Sequence, residues 1–259
     1  MKAVIIGSGN LATHLALALN DAGVNIEQVY SRDMEHAQAL SLRLHHCEAI
    51  SSLSHITPDA HIYIIAIKDD AIAGVAQQIS AVVKNGIVIH TAGSVAMDVL
   101  KPAARHYGVL YPMQTFSKNR EVNFSGVPCF IESSDTKTLS TIKTIAEKIC
   151  HTVQVADSHK RERLHLAAVF VNNLVNHCYR MAECVLEEQN IDFNLLLPLI
   201  TETARKVHTM RPKEAQTGPM VRYDVKVMNK QINMLKDERQ KEIYRLMAAD
   251  IHSDYPPNH

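Results

Sequence analysis

Short apolar runs alternate with longer amphipathic stretches through the first 157 positions of this chain. The apolar runs predict buried strands because they are short and end at turn residues. Strands that alternate with helices pair in parallel and are joined by right-handed crossovers, so the pattern predicts an α/β domain with a doubly wound parallel sheet. The predicted strands cover residues 2–6, 25–30, 61–67, 86–90, 109–111, 127–131 and 153–155, and the predicted helices between them cover residues 11–22, 34–46, 72–84 and 136–149.

The pattern changes near residue 157, where the strand signals end. Turn residues at Arg211-Pro212 and Gln216-Thr217-Gly218-Pro219 then separate helical stretches. We therefore expect two domains, an α/β domain over residues 1–157 and an all-α domain over residues 158–259, with a short polar tail that frays. The predicted helices of the second domain cover residues 161–190, 194–210 and 221–247.

The first predicted strand breaks into Gly7-Ser8-Gly9-Asn10-Leu11-Ala12 before the first predicted helix. Gly7 permits a tight turn, Gly9 leaves space for the phosphates of a ligand, and small Ala12 lets the helix lie close to the strand. The helix N-terminus then directs its free amides at the anion. This context favours a Rossmann dinucleotide-binding domain over a strand-to-helix turn without a ligand. The predicted cofactor contacts in this loop are Gly7, Ser8, Gly9, Asn10 and Leu11.

The second predicted strand ends in Ser31-Arg32, where an NAD site places an acidic residue for the ribose hydroxyls. A carboxylate there would repel a 2′-phosphate, whereas a hydroxyl and a guanidinium bind it through charge-assisted hydrogen bonds. Ser31 and Arg32 therefore predict NADP(H) as the cofactor. The alternative is that Arg32 is a solvated cation at a helix start and that Asp33 binds the ribose.

Three further loops are predicted to border the nicotinamide, because the cofactor of such a fold lies across the carboxyl ends of the strands. They run from Ala66 to Asp69, from His90 to Ser94 and from Tyr111 to Gln114. The candidate contacts in the first two loops are Ala66, Ile67, Lys68, Thr91 and Ala92.

The composition argues against proteins that bind nucleic acid, span a membrane or hold a metal ion. The 259 residues are 46% hydrophobic, and 27 Lys and Arg balance 27 Asp and Glu, so the net charge does not indicate nucleic acid. The apolar stretches are interrupted before the length of a membrane span, and we expect no signal peptide before the first strand. The five cysteines form no Cys-x-x-Cys pair, and the 15 histidines lack metal-ligand spacing. We therefore expect a cytoplasmic protein with a small-molecule substrate and without a metal ion, nucleic acid or membrane.

Four longer motifs support a family resemblance. They are His90-Thr-Ala-Gly-Ser94, Tyr111-Pro-Met-Gln114, His165-Leu-Ala-Ala-Val-Phe-Val-Asn-Asn173 and Thr217-Gly-Pro-Met-Val-Arg-Tyr-Asp224. With them, nearly the whole chain resembles a bacterial two-domain family of NADP oxidoreductases. The N-terminal half is similar to pyrroline-5-carboxylate reductases and deazaflavin-dependent NADP reductases, and the C-terminal half to the helical domain of 6-phosphogluconate dehydrogenase-like enzymes. The resemblance implies NADP binding and a homodimer formed by the C-terminal helices, and it leaves the substrate open.

The C-terminal helices are expected to supply the proton that a hydride transfer requires. In the β-hydroxyacid dehydrogenases that this half resembles, the donor is a Lys, followed one helical turn later by an Asn. Val169 occupies the Lys position here, which argues against such a dehydrogenase. His165 lies one turn earlier on the same face and is the candidate acid, with Asn172 or Asn173 to orient the substrate. The alternative is that these three side chains pack the boundary between the domains.

A second polar cluster surrounds the Gly218-Pro219 turn. Thr217 and Arg222 offer a hydroxyl and a cation to a substrate carboxylate, aided by a helix that is predicted to begin near Pro219. The alternative is that Thr217 caps a helix and that Arg222 pairs with Asp224.

These features predict an NADP-dependent oxidoreductase that transfers a hydride between NADP(H) and a small polar, carboxylated carbonyl or imine compound. The alternative is a non-catalytic NADP(H)-binding sensor that has the fold without the acid.

We expect the protein to bind NADPH more tightly than NADH, because Arg32 can pair with the 2′-phosphate. The Arg32→Ala variant should lose most of that preference, about 1.5–3 kcal/mol for a hydrogen bond to a charged group. Calorimetric titration of both cofactors checks this, and equal affinities in the unmodified protein would contradict it.

Overall fold

The computed structural model describes residues 1–255, and residues 256–259 of the predicted frayed tail lie outside the described residues. The chain divides into two compact units, Met1–Asn172 and Asn173–His259. This division falls inside a long helical segment, whereas the predicted domain boundary lies between the last strand and that segment. The boundary at residue 157 stays a prediction.

One eight-stranded sheet organises the first unit, with the strands in the order β3-β2-β1-β4-β5-β6-β7-β8. Neighbouring strands are parallel except for β6 and β7, which confirms an α/β Rossmann architecture. The strands are β1 (Lys2–Ile6), β2 (Asn25–Tyr30), β3 (Glu48–Ile50), β4 (Ile62–Ile65), β5 (Ile87–His90), β6 (His106–Pro112), β7 (Cys129–Ser133) and β8 (Val153–Val155).

The expectation of a wholly parallel sheet is wrong at β7 and β8, which run opposite to the other strands. A parallel neighbour needs a long crossover that usually contains a helix. The segment between β6 and β7 contains only the short 3₁₀ helix Phe124–Gly126, so β7 returns antiparallel to β6.

Ten α-helices and one π-helical segment lie within residues 1–255. The α-helices are α1 (Asn10–Asp21), α2 (Met34–Ser41), α3 (Ile72–Ile79), α4 (Thr136–Ala146), α5 (Ser158–Ala168), α6 (Val175–Glu187), α7 (Leu197–Lys206), α8 (Pro212–Ala215), α9 (Val225–Met234) and α10 (Glu238–Ser253). The π-helical segment Val169–Leu174 joins α5 to α6, and the other 3₁₀ helices are Leu53–His55, Asp69–Ala71, Met97–Leu100 and Phe193–Leu196.

The long helix predicted over residues 161–190 is present as the continuous run of α5, the π-helical segment and α6. The single helix predicted over residues 221–247 is wrong, because the chain breaks between α9 and α10. Leu235 is extended there, and the Asp237 carboxylate caps α10 by accepting from the backbone N–H of Arg239 at 2.8 Å. An aspartate that competes for backbone donors favours a helix start over a helix interior.

The sheet is buried on both faces, as its apolar strands predict. Along β1, Ala3 and Ile5 pack into one apolar cluster with α1, α2 and α4, while Val4 and Ile6 pack into a second cluster with α3. Strand β1 therefore lies inside the sheet, between β2 and β4, with both faces covered. Within residues 1–255, every helix is too short or too polar to cross a lipid bilayer.

Candidate functional site

The two glycines of the β1–α1 loop have different roles. Gly7 has a φ of +132°, and a Cβ there would lie 2.2 Å from the carbonyl oxygen of Ala66, so only glycine fits. Gly9 has a φ of −74°, and a Cβ there would find nothing within 4 Å. The positive φ of the turn thus belongs to Gly7, and Gly9 faces open space at the start of α1. This space and the free N-terminal amides of α1 fit the pyrophosphate of a dinucleotide.

The predicted 2′-phosphate corner is assembled from the β1–α1 loop and the end of β2. The Ser8 hydroxyl donates to the Ser31 hydroxyl at 2.9 Å. The Asp33 carboxylate caps α2 by accepting from the backbone N–H of Glu35 at 2.9 Å. Arg32 is exposed and has no ion-pair partner among residues 1–255. The carboxylate that could bind a ribose is therefore engaged in its helix, whereas the guanidinium is free to bind an anion.

The side chains of α1 also hold the loop that follows β6. Asn10 donates from its amide to the carbonyl oxygen of Phe116 at 2.9 Å, and His14 contacts the carbonyl oxygen of Ser117 through Nε2 at 2.9 Å. Leu11 packs on the core. Because both side chains are engaged within the protein, the predicted contacts of Asn10 and Leu11 with the cofactor would come from their backbone atoms. The loop lines a polar cavity of about 310 Å³ bounded by Gln114, Thr115, Ser117, Arg120, Glu121, Val122 and Asn123.

The predicted loops after β4 and β5 lie at the carboxyl edge of the sheet. Ala66 donates its N–H to Ile6, and Thr91 donates its N–H to Ile65 at 3.2 Å. Both residues are buried, so their backbones shape the edge rather than present side chains. Ile67 is partly buried in the α3 cluster, whereas Lys68 is exposed before the turn Asp69–Ala71.

Arg161 on α5 is 0% exposed, and partners surround its guanidinium. It forms an ion pair with Glu132 of β7 and donates to the carbonyl oxygens of Val95 and of Ala92, the latter at 3.2 Å. Glu132 also accepts from the backbone N–H and the hydroxyl of Ser158, at 3.0 and 2.8 Å. This buried pair fastens the start of α5 to β7 and to the loop after β5.

His90 lies at the end of β5 with no exposed surface. Its Nδ1 accepts from the backbone N–H of Ala92 at 3.2 Å, and its buried Nε2 has no hydrogen-bond partner among the described residues. Burial, reinforced by the charge of Arg161, lowers the pKa of His90 to about 4. The neutral imidazole therefore supports the loop beneath the candidate site and adds no charge to it.

His165 lies one helical turn after Arg161 on α5 and is half-buried. Its Nδ1 lies 3.1 Å from the hydroxyl of Tyr111, the penultimate residue of β6, and the rings meet edge-on with centroids 6.0 Å apart. Gly93 packs against both rings. Nearby, the Ser94 hydroxyl donates to the carboxylate of Asp69. The candidate acid thus lies at the carboxyl ends of β5 and β6, inside the same compact unit as the glycine loop.

Asn172 and Asn173 are exposed and lie in the π-helical segment. Such segments inside long helices are frequent at functional sites, because the extra residue reorients side chains. The two compact units divide between these residues. Their predicted role in orienting a substrate stays a prediction.

Thr217 and Arg222 belong to the second unit and are exposed. The helix predicted to begin near Pro219 begins instead at Val225, where the Asp224 carboxylate accepts from the backbone N–H of Val227. Within residues 1–255, Arg222 has no ion-pair partner and Thr217 caps no helix, so the structural alternatives for these two side chains are wrong. Tyr223, which follows Arg222, adopts a φ of +51°, which marks this turn as strained.

Sequence reasoning missed several residues of this site. His165 is named by the sequence analysis, but Arg161 is not, although it lies one helical turn before His165 and this spacing is an available signal. The sequence predicts only that Tyr111 begins a loop near the nicotinamide, and no local pattern links it to Glu132 or Gly93. Among residues 1–255, no cluster of three or more His, Cys, Asp or Glu could hold a metal ion.

Comparison with known proteins supports this architecture. Residues 1–113 match the model of a Rossmann-like domain, and residues 127–251 match that of a domain of unknown function, DUF2520. No curated protein matches the chain. A Bacteroides fragilis protein of solved structure, provisionally named an NADP oxidoreductase, is 45% identical, with 97% of this chain and 98% of that one covered and a TM-score of 0.92. The chain belongs to the same two-domain family. We call it the Rossmann–DUF2520 family.

More distant structures share the fold of the Rossmann–DUF2520 family. An imine reductase from Myxococcus stipitatus in complex with NADP⁺ is 12% identical, with 98% of this chain and 92% of that one covered and a TM-score of 0.65. A Plasmodium falciparum pyrroline carboxylate reductase with NADP bound is 12% identical, with 99% and 98% covered and a TM-score of 0.58. At these identities the likeness establishes the fold alone.

The glycine loop gives a prediction with a matched pair of variants. Gly9→Val should fold with unchanged stability, because the position faces open space, but it should lose detectable NADPH binding, because the side chain fills the phosphate site. Gly7→Val should instead destabilise the fold, because its Cβ meets the Ala66 carbonyl. NADPH titration and urea unfolding of both variants check this. Undiminished binding by Gly9→Val would show that the loop is only a turn.

The buried ion pair gives a second prediction. Arg161→Met should lower the free energy of unfolding by about 3–5 kcal/mol, because Glu132 is left without its cation and two carbonyls lose their donor. Arg163→Met, on the exposed face of the same helix, is the control and should stay within about 0.5 kcal/mol of the unmodified protein. Urea unfolding compares them, and equal midpoints would contradict the assigned role.

Proposed function

We propose that this protein is an NADP-dependent oxidoreductase that transfers a hydride between NADP(H) and a small polar, carboxylated carbonyl or imine compound. One observation carries the proposal. A loop that fits a dinucleotide pyrophosphate and a half-buried imidazole lie at the carboxyl edge of one sheet, where this fold binds its cofactor.

The cofactor assignment rests on Gly9, Ser31 and Arg32. Gly9 leaves room for the phosphates at the start of α1, and the free guanidinium of Arg32 suits a 2′-phosphate. Relatives of the same fold are named as NADP oxidoreductases or as NADP complexes, which agrees with this choice. When bound, the reduced cofactor supplies the hydride.

The protein supplies the proton and holds the substrate. His165 is the proposed general acid, and its Nε2 has no hydrogen-bond partner among the described residues, so it is free to face a substrate. Asn172 and Asn173 are proposed to orient the substrate. Thr217 and Arg222 are proposed to bind its carboxylate, since both present polar groups that no partner within residues 1–255 satisfies.

The second candidate function is a non-catalytic NADP(H)-binding sensor. It is favoured by Val169, which stands where the resembling dehydrogenases carry their proton-donating Lys. A screen of keto acids and cyclic imines, followed by NADPH absorbance, separates the two candidates. We expect turnover of at least one carboxylated compound with NADPH. Tight NADPH binding with no turnover across the screen would favour the sensor.

His165→Ala should lower kcat by about a hundred- to ten-thousandfold with NADPH affinity unchanged, because it removes the general acid and leaves the glycine loop intact. His159→Ala on an exposed face of α5 is the matched control and should keep full activity. Steady-state kinetics on the substrate that the screen identifies measures both. Full turnover by His165→Ala would remove His165 from the mechanism.

We also propose that the protein is a homodimer through its C-terminal helices. Among residues 173–255, only Met228, Ile232 and Ala248 are buried apolar residues, too few for an independent core. Large apolar side chains are exposed in the same unit, including Leu195 at 71% and Leu199 at 64%. A second copy would cover these surfaces.

Light scattering should therefore give twice the chain mass for the unmodified protein. Replacing both Leu195 and Leu199 by Glu should shift it towards the monomer, because two charges would be buried at the interface. The control is Leu42→Glu, an exposed leucine of the first unit, which should leave the mass unchanged. A monomeric unmodified protein would overturn this proposal.

A further inference from the structure

The hydrogen bond between Tyr111 and His165 carries an inference that rests on the proposed function and deepens it. We propose that Tyr111 is a positioning residue that donates to Nδ1 of His165, holds the imidazole in its Nε2–H form, and replaces the proton that Nε2 gives to the substrate. The two side chains would then form a short relay in which only His165 touches the substrate.

The direction of this hydrogen bond follows from the surroundings of Tyr111. The side chain is 8% exposed, and burial raises the pKa of its hydroxyl, with Arg161 opposing this effect and Asp69 adding to it. Before any substrate binds, the hydroxyl therefore keeps its proton, and within residues 1–255 its only hydrogen-bond partner is Nδ1 of His165. A phenol is a better donor than acceptor, so the Nδ1 lone pair accepts. The ring proton of the neutral imidazole then resides on Nε2.

Gly93 makes the contact possible. A Cβ at this position would lie 2.7 Å from Nδ1 of His165 and 2.8 Å from Cζ of Tyr111, so it would wedge into the hydrogen bond itself. The carbonyl of the preceding Ala92 is held by Arg161 at 3.2 Å. The loop after β5 is therefore fixed with its glycine against the pair, and the two rings can approach.

The proton steps balance with one proton taken from solvent in each turnover. As the substrate oxygen or nitrogen gains electron density, it takes the proton from Nε2, and Nδ1 takes the proton from the Tyr111 hydroxyl. This leaves a phenolate beside a neutral imidazole protonated at Nδ1, and the nearby guanidinium of Arg161 stabilises the phenolate. After product leaves, Nε2 takes up one proton from the bulk solvent, and Nδ1 returns its proton to the phenolate, so each turnover consumes one solvent proton. His165 never becomes an imidazolate.

The tautomer can be measured without a substrate. We would record ring ¹⁵N spectra of histidine-labelled protein at about pH 8.5, well above the usual imidazole pKa of ~6.5, and assign His165 by its loss in His165→Ala. The unmodified protein should show His165 protonated at Nε2. Tyr111→Phe should shift the tautomer ratio by roughly three- to tenfold, the value of one neutral hydrogen bond.

Two further variants sharpen the measurement. Tyr107→Phe, on the same strand with its hydroxyl 3.5 Å from Asp98, is the matched control and should leave the ratio unchanged. Gly93→Ala keeps both side chains and should disturb the ratio as Tyr111→Phe does. An Nδ1–H form in the unmodified protein overturns the proposal, even if neither variant folds. An unchanged ratio in folded Tyr111→Phe also overturns it.

Kinetics on the substrate from the screen tests the relay itself. Tyr111→Phe should lower kcat by about tenfold or more, with KM and NADPH affinity unchanged, since acid catalysis is the only function lost. If Tyr111→Phe turns over at the full rate, the relay is wrong and the reductase proposal stands. If no substrate turns over, the reductase proposal fails, and the ¹⁵N spectra still decide whether Tyr111 positions His165.

Discussion

The buried ion pair of Arg161 and Glu132 is the constraint on which the candidate site depends. A guanidinium with no exposed surface is tolerated only when its charge and its N–H groups are matched, and here β7, α5 and the loop after β5 supply the matching groups. These three elements cannot shift independently, because any displacement would leave a charge or a carbonyl buried without a partner. Because the buried charges must stay paired, the start of α5 is held in one position against β7 and the loop after β5.

The fixed start of α5 determines which side chains meet at the carboxyl edge of the sheet. Because His165 lies one turn after Arg161, fixing the start of α5 also fixes the imidazole against Tyr111 at the end of β6. The same guanidinium holds the Ala92 carbonyl, which keeps Gly93 between the two rings. It also favours the neutral form of His90 beneath the loop. One buried cation therefore positions the Tyr111–His165 pair, to which we assign the proton transfer.

The two units of the chain differ in how many apolar side chains they bury. The first buries both faces of a sheet, so its glycine loop and strand ends rest on a rigid base. The second buries few apolar side chains among its described residues and exposes many large ones on its helices. Its polar residues Thr217 and Arg222 lie in a strained turn rather than on a packed scaffold. A helical unit of this kind gains stability by association, which is the physical basis for the proposed dimer.

Local sequence determined a large part of this protein. Apolar runs that are too short for helices specified most strands, and Gly7-x-Gly9-x-x-Ala12 specified the β1–α1 turn, because only glycine meets the positive φ and the close carbonyl at Gly7. The long helix containing His165 was also readable from its spacing. Tertiary structure decided the rest. The reversal of β7, the break before α10, and the meeting of Glu132, Arg161, Gly93, Tyr111 and His165 depend on residues far apart in the chain. Their contacts exist only after the sheet has formed, because burial of a charge or a phenol creates interactions that no local pattern of residues encodes.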